Sequence, residues 1–397
     1  MRKGILLFIL SLYCLSPIQA QDFKVIGYLL YARFDLLDQM DLEKLTHLNI
    51  AFLNPDDEGK LQLPSGNIDE VIDRAHEADL EVFLSLAGGY LAPEWAAAWE
   101  KWMQADKRSE FIHKIIQYTL DHNCQGIDVD LEWQYVNEKY SPFVLELADS
   151  ARAHNLQITA ALPGTYRYPD ISDEVLATYD WINMMVYDLH GPWAPNDPGP
   201  HSPMSFAHQS MAYWQNQGMP KERLTLGVPF YGYDFSGSDR VKAYTYRTIL
   251  SWNVENAQRD QTGQTYYNGI PTIKAKTRLA MEELSGIMIW EIGQDDFGPL
   301  SLLNAIAEEV MVTSIPYNAG LEVVIDAFPN PFLDELQISA PQIIQQVLLF
   351  NAQGQQLRQF SGNNTNVLQL NLGDLESGVY FLSLQLDKIH TIQLVKH

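Results

Sequence analysis

From Phe23 to about Ser314, short apolar, β-branched runs alternate with longer stretches of helical spacing. The runs Val25–Tyr28, His47–Phe52, Glu81–Leu86, Gly126–Leu131, Gln157–Ala161, Trp181–Tyr187, Leu224–Pro229 and Gly286–Trp290 predict strands. Between them, Ile68–Ala78, Ser109–His122, Pro142–His154, Ser205–Gln217, Thr277–Leu284 and Leu300–Met311 predict helices. In the first of these, Ile68, Val71, Ile72 and Ala75 recur three, four and seven residues apart, which is one face of a helix. Strands and helices in strict alternation over ~290 residues predict an α/β fold, a (β/α)₈ TIM barrel. A doubly wound open sheet is disfavoured, since no G-x-G-x-x-G turn follows the first strand.

After Ile315–Gly320 the helical period stops and period-two alternation takes over: Leu336–Ile338, Val347–Phe350, Val367–Leu372, Val379–Leu386 and Thr391–Val395. Asn330-Pro331, Gly354, Gly362-Asn363-Asn364 and Gly378 punctuate these runs as turns. The division expected is a barrel over residues 21–314, a linker at 315–320, and a small antiparallel β-sandwich over 321–397.

Residues 1–20 have the plan of a cleavable export signal. Arg2 and Lys3 are followed by an apolar run from Gly4 to Leu15, and Ile18-Gln19-Ala20 ends in a small residue. The run is shorter than the ~20 residues that span a bilayer, and no second long one follows, so no membrane-spanning segment is expected after cleavage. Cleavage would remove Cys14 and leave Cys124 as the one mature cysteine, so stability must come from the core rather than from an intrachain disulfide. The 46% hydrophobic content, with 20 Tyr, 16 Phe and 9 Trp, supplies such a core. Lys and Arg number 26 against 50 Asp and Glu, a formal charge of -24, which argues against nucleic acid or an anionic membrane as a partner. A monomer is expected.

One strand concentrates the chemistry. Gly126-Ile127-Asp128-Val129-Asp130-Leu131-Glu132 puts a carboxylate at every second position, so all three side chains share one face, successive ones ~6–7 Å apart. Ile127, Val129 and Leu131 take the other face, toward the helices. Barrel interiors are filled by Val, Ile and Leu, so three acids there carry a large desolvation cost that only function repays. Like charges so close cannot all ionise, and Glu132, at the end of the strand, is the natural general acid. A solvated edge strand or a metal site are the alternatives. The first would lack the apolar opposite face. The second would add histidines, and neither His190 nor His201 sits in a ligand motif. No metal and no cofactor are expected.

Gln125–Glu132 resembles the D-G-x-D-x-D-x-E motif of glycoside hydrolase family 18, the chitinase family. Ser85-Leu86-Ala87-Gly88-Gly89 resembles that family's S-x-G-G on the third strand, and Met185-Val186-Tyr187-Asp188 its M-x-Y-D on the sixth. Trp290 matches the tryptophan ending the eighth strand, and Leu226–Gly232 is similar to the seventh. The resemblance covers roughly residues 23–312. It implies a retaining, substrate-assisted hydrolysis of β-1,4-linked N-acetylglucosamine, in which the sugar's own acetamido group is the nucleophile. It gives Glu132 the acid and base work, with Asp130 on the acetamido N–H and Asp128 sharing a proton with Asp130. Tyr187 would bind the acetamido oxygen, Asp188 would help distort the sugar, and Trp290 would form the floor. Tyr28, Tyr231, Trp193, Tyr90 and Ser85 complete the implied substrate-binding set; Trp193 lies in the loop after strand six, and Ser85 would also buttress the aspartates. Gln125 replaces the motif's first aspartate, Leu131 a common aromatic, and Tyr90 a common tryptophan. Asp234–Ser285 is short for the family's full α+β insertion, which implies a shallower groove.

The tail resembles the C-terminal sorting domain of the type IX secretion system, through Phe328-Pro329-Asn330-Pro331-Phe332, Val347–Gly354 and Leu375-Glu376-Ser377-Gly378-Val379-Tyr380. The reading that follows is a secreted or surface-attached chitinase, partnered by chitin oligosaccharide and that secretion machinery. An N-glycan endo-β-N-acetylglucosaminidase and a non-catalytic chitin-binding lectin are the alternatives for the barrel. A carbohydrate-binding module is the alternative for the tail.

Overall fold

The computed structural model describes residues 23–237, 240–314, 325–352, 355–386 and 389–397. The expected signal peptide, including Cys14, and the expected linker at 315–320 lie outside the described residues. The chain divides into two compact units, residues 1–315 and 316–397.

In the first unit, eight parallel strands close into a barrel: Lys24–Leu30, His47–Pro55, Glu81–Gly88, Gly126–Leu131, Gln157–Pro163, Trp181–Met185, Leu224–Pro229 and Gly286–Trp290. They are called the first to eighth strands below. The eighth pairs back onto the first, and the first onto the second. Every strand lies where its apolar run predicts it; four extend one to three residues further, three match the run, and the sixth ends two residues early at Met185. Each strand has two covered faces, as parallel sheets require. Ile127, Val129 and Leu131 pack outward in the main core with helix residues such as Val71, Ile115, Phe143 and Leu147. The inner face carries a separate small cluster, Ile26, Tyr28, Ala51, Phe83, Trp181, Tyr187 and Met288. Cys124, just before the fourth strand, is free and buried, and burial pushes its thiol up to about 12.

The helices Ile68–Glu77, Arg108–Asp121, Tyr140–Ala153, Met204–Asn216 and Leu302–Ser314 match the helical spacing. Ile270–Glu283 begins seven residues before the predicted Thr277, because Pro271 and two lysines interrupt the apolar signal there. Pro93–Trp102, Asp173–Thr178 and Tyr246–Trp252 were not among the predicted helices. Two of them are only one or two turns long, too short to establish a period. Between the seventh and eighth strands the chain folds a small antiparallel sheet from Tyr231–Asp234, Lys242–Thr245, Gln261–Thr262 and Thr265–Tyr266.

The second unit is all-β and antiparallel, with strands Asp326–Phe328, Glu335–Asn351, Gln356–Asn371, Gly378–Gln385 and Ile389–Lys396. Glu335–Asn351 changes partner along its length: its first half pairs with Asp326–Phe328 and its second with Gly378–Gln385. Register shifts between Ser339 and Gln346 separate the halves. Leu336 and Ile338 from one half, and Val347 and Leu349 from the other, share one apolar core with Leu382 and Leu384.

Candidate active site

Barrel register puts polar residues side by side. Ser85 pairs with Asp128, and Asp128 with Thr159, on three adjacent strands. Because side chains alternate, all three point inward at one level. There, Asp128 is fully buried and accepts four hydrogen bonds. Tyr28 Oη and Ser85 Oγ each donate to Oδ2 at 2.7 Å; Thr159 Oγ1 donates to Oδ1 at 2.7 Å and Asn183 Nδ2 at 3.3 Å. Burial raises this carboxyl's pKa and the four donors oppose the rise.

Asp130, one level up, has no such support. It is buried, and its Oδ1 has no hydrogen-bond partner among the described residues. Burial first, then the charges of Glu132 and Asp128, push its pKa well up. Glu132 follows just past the strand. Burial, with the charge of Asp188, lifts its pKa to about 7. Gly89, after the third strand, leaves it room: a Cβ there would lie 2.4 Å from Glu132 Oε1. At Gly88, φ is +92° and a Cβ would lie 2.5 Å from the Phe52 ring, so the Gly-Gly pair is required twice over.

Tyr187 follows the sixth strand, buried, its hydroxyl in weak contact with Met288 Sδ at 4.0 Å. Burial, then Asp130, raises that phenol well above the ordinary tyrosine range. Asp188 has φ +63°, a left-handed conformation that an aspartate tolerates better than most residues. It accepts a hydrogen bond from Tyr231 Oη, and His201 Nδ1 stands 3.6 Å from its Oδ1. Trp290 ends the eighth strand, stacked on Phe52 at 5.4 Å and edge-on to Tyr28 at 5.7 Å. The next residue, Glu291, is buried and accepts from Gly293 N at 2.9 Å, with Arg33 Nε 3.5 Å away; burial lifts its pKa to about 7.

These residues meet at the mouth of the barrel, in a cavity of about 670 Å³. Its wall includes six of the expected residues: Tyr90, Asp130, Glu132, Tyr187, Asp188 and Trp290. Asp128 lies beneath it. So do Tyr28, expected as a substrate contact, and Ser85, expected both there and as a buttress of the aspartates; both are buried and donate to Asp128. Tyr231 stands behind Asp188 rather than on the wall. Trp193 is outside the cavity, 60% exposed and edge-on to Tyr233 at 6.1 Å.

Sequence reasoning passed over Thr159 and Asn183, the two further donors to Asp128. Both are polar residues at inward positions of otherwise apolar strands, which is the signal that marks them. It also passed over the wall residues Phe52 and Asn54, near the end of the second strand, Tyr31, which follows the first strand, and Trp95, on the helix Pro93–Trp102 that was not predicted. No group of three or more His, Cys, Asp or Glu among the described residues is arranged to hold a metal ion.

The chain matches the sequence model for Glycosyl hydrolases family 18 over residues 24–295, and that for the Secretion system C-terminal sorting domain over residues 326–396. A GH18 chitinase, ChiB, from the chitin utilization locus of Flavobacterium johnsoniae is similar in structure, with TM-score 0.71 and 42% identity over 72% of this chain and 94% of that one. A chitinase from Bacteroides thetaiotaomicron gives TM-score 0.65 and 27% identity, over 75% of this chain and 99% of the other. Among curated relatives, Probable chitinase 10 of Drosophila melanogaster is 28% identical over 48% of this chain. Chitinase-3-like protein 2 of Homo sapiens is 26% identical over 50% of this chain. The chain spans 11% of the length of the first and 67% of the second. Matched over more than half its length by the family model, and carrying the acids of the fourth strand at the mouth of a closed barrel, this chain belongs to glycosyl hydrolase family 18.

Proposed function

We propose that the barrel is a chitinase that cleaves β-1,4-linked N-acetylglucosamine with retention, using the substrate's acetamido group as nucleophile. One arrangement carries the reading: burial, with the charge of Asp188, lifts the pKa of Glu132 to about 7, while Asp130, two residues before it, keeps a buried oxygen with no partner among the described residues. A donor and a waiting polar group next to it are what acetamido participation needs.

In this mechanism Glu132 gives its proton to the glycosidic oxygen as that bond breaks. The acetamido carbonyl oxygen bonds to the anomeric carbon from the opposite face, forming an oxazolinium ion. Asp130 holds the acetamido N–H, and the Tyr187 hydroxyl, free of any strong partner, binds the acetamido oxygen. Glu132, now ionised, takes a proton from the water that opens the ring, restoring the β configuration. Asp128 acts from below, as the fixed support of the strand. Asp188 helps distort the sugar, Trp290 lies flat under it, and Tyr90 and Trp193 offer aromatic faces further out. The two similar bacterial structures named as chitinases support the substrate class.

Mass spectrometry of digests of chitohexaose and of a high-mannose glycoprotein tests the substrate. Cleavage of chitohexaose, with the first product anomer β by NMR and a fully deacetylated hexamer left intact, is expected. Cleavage of the glycoprotein alone would make the enzyme an N-glycan endoglycosidase. Binding without turnover would make it a lectin.

The sorting-domain match at residues 326–396 indicates export. We further propose that residues 1–20 direct crossing of the inner membrane, and the tail release to the outside or attachment at the surface.

A further inference from the structure

Lys276 lies on the helix Ile270–Glu283, and its side chain is wholly buried. Among the described residues no ion pair holds it. Its Nζ donates instead to three neutral oxygens: Ser202 O at 2.7 Å, Ser202 Oγ at 2.6 Å and Asn268 Oδ1 at 2.7 Å. All three ammonium protons are used. Burying a cation against neutral acceptors is costly, and burial pulls this amine down to about 7. A leucine or methionine would fill the volume without that cost, so the lysine must supply something besides volume.

What it grips leads to the cavity. Ser202 Oγ donates to the carbonyl oxygen of Val186, the residue before Tyr187. The neighbour His201 is buried between the rings of Tyr231 and Tyr233, at 4.9 and 5.1 Å, and its Nδ1 faces Asp188 at 3.6 Å. His201 O also accepts from Leu189 N at 2.9 Å, on the far side of Asp188. The Val186–Leu189 turn, with Asp188 at φ +63°, is therefore held at both ends by His201–Ser202. That pair is in turn pinned from behind by Lys276 and Asn268; Asn268 Nδ2 adds a bond to Ser202 O at 3.1 Å.

We propose that Lys276 is a positioning residue: acting through Ser202, it clamps the turn that presents Tyr187 and Asp188 to the sugar at the cleavage site. The inference rests on the catalytic reading above and extends it to a residue on a helix outside the cavity. Tyr187 and Asp188 act on the acetamido group and the sugar as the bond breaks, whereas much of the ground-state binding comes from the aromatic wall. Loosening the clamp should then lower kcat more than it raises KM.

The test is steady-state kinetics on a soluble chitooligosaccharide at 25 °C with the full chain, each variant scaled to its folded fraction by near-UV circular dichroism. Lys276→Met and Ser202→Ala are each expected to lower kcat roughly tenfold, with KM changed less than about threefold. The double variant should lose little more than either single, because both break one unit. Thr277→Val, on the same helix, where the hydroxyl donates to Ile273 O at 2.9 Å, is the stability control and should keep wild-type kcat. A folded Lys276→Met variant with kcat within twofold of wild type would overturn the proposal. So would a double variant whose losses multiply, or a Thr277→Val control that loses as much kcat at a matched drop in Tm. If Lys276→Met does not fold, Ser202→Ala decides by the same kcat criterion. Failure of the wild-type chain to cleave any oligosaccharide would instead strike the catalytic reading itself.

Discussion

Along Gly126–Leu131 in the barrel and Gly378–Gln385 in the tail, side chains alternate strictly between two faces. In the tail strand the alternation sorts by solvent. Tyr380, Leu382 and Leu384 are buried while Val379 is exposed and Phe381, Ser383 and Gln385 are half-buried. In the barrel strand all six residues are buried, so the alternation sorts apolar packing from chemistry. Water cannot account for Asp128 and Asp130, and each acid must either be supported by donors or be left unsupported for a reason. Asp128 shows the first solution and Asp130 the second, two residues apart. An acid in a doubly covered strand is thus informative in a way that a polar residue on a half-exposed strand is not.

The sharpest way to break this contrast is Glu132→Gln, which keeps the volume and removes the transferable proton. We expect kcat on chitohexaose to fall at least ~100-fold, the usual worth of a general acid, while the Kd for the oligosaccharide, by calorimetry, stays within a few-fold. Wild-type turnover in this variant would place the proton donor elsewhere.

Next in size is a matched pair. Asp128→Ala strands four donors in the barrel interior and should cost about 3 kcal/mol or more, with kcat falling at least tenfold. Leu382→Ala opens a cavity in the tail core and should cost about 2–5 kcal/mol there, with kcat unchanged. Scanning calorimetry and initial rates together read both. Equal losses of activity would mean that the two units do not work independently.

The smallest effect is on pH. Glu132 must be protonated to act as acid, so kcat/KM should fall as pH rises through about 7. Asp188→Asn removes the charge that helps hold the proton on Glu132, and the alkaline limb should then move to lower pH. Stability carries the same sign. Glu132, Glu291 and Asp295, the last buried where it accepts from Leu302 N and Leu303 N at 2.9 and 3.0 Å, are lifted to about 7 in the folded chain, whereas the unfolded chain releases these protons near the ordinary carboxylate range. Between these limits the native state binds more of these protons, so the contribution of these three groups to stability is greatest at the acid end and declines as pH rises toward 7. Denaturant melts at pH 5 and pH 7.5 check the direction.

Much of this molecule was legible in its residues. Period and length placed all eight barrel strands, because a parallel strand covered on both faces must be a short apolar run. The three acids announced themselves by breaking that rule at every second position. The tail's changed period marked a different kind of unit. Other features depend on neighbours that the sequence does not bring together. Tyr28 reads as a substrate contact from motif position alone, yet it is buried and donates to Asp128, across the barrel from it; Ser85 was expected both at the substrate and as a buttress of the aspartates, and the register of the third and fourth strands turns it toward Asp128. The grip of Lys276 on Ser202 joins residues 74 positions apart, and no local pattern encodes it. Local chemistry and spacing determined which strands form and which carry acid. Closure of the barrel, which sets the side-by-side register, decided which acid is saturated, which is left free, and which lysine stands behind the catalytic turn. Hydrogen bonds between distant segments exist only after that closure, so the tertiary structure alone could assign them.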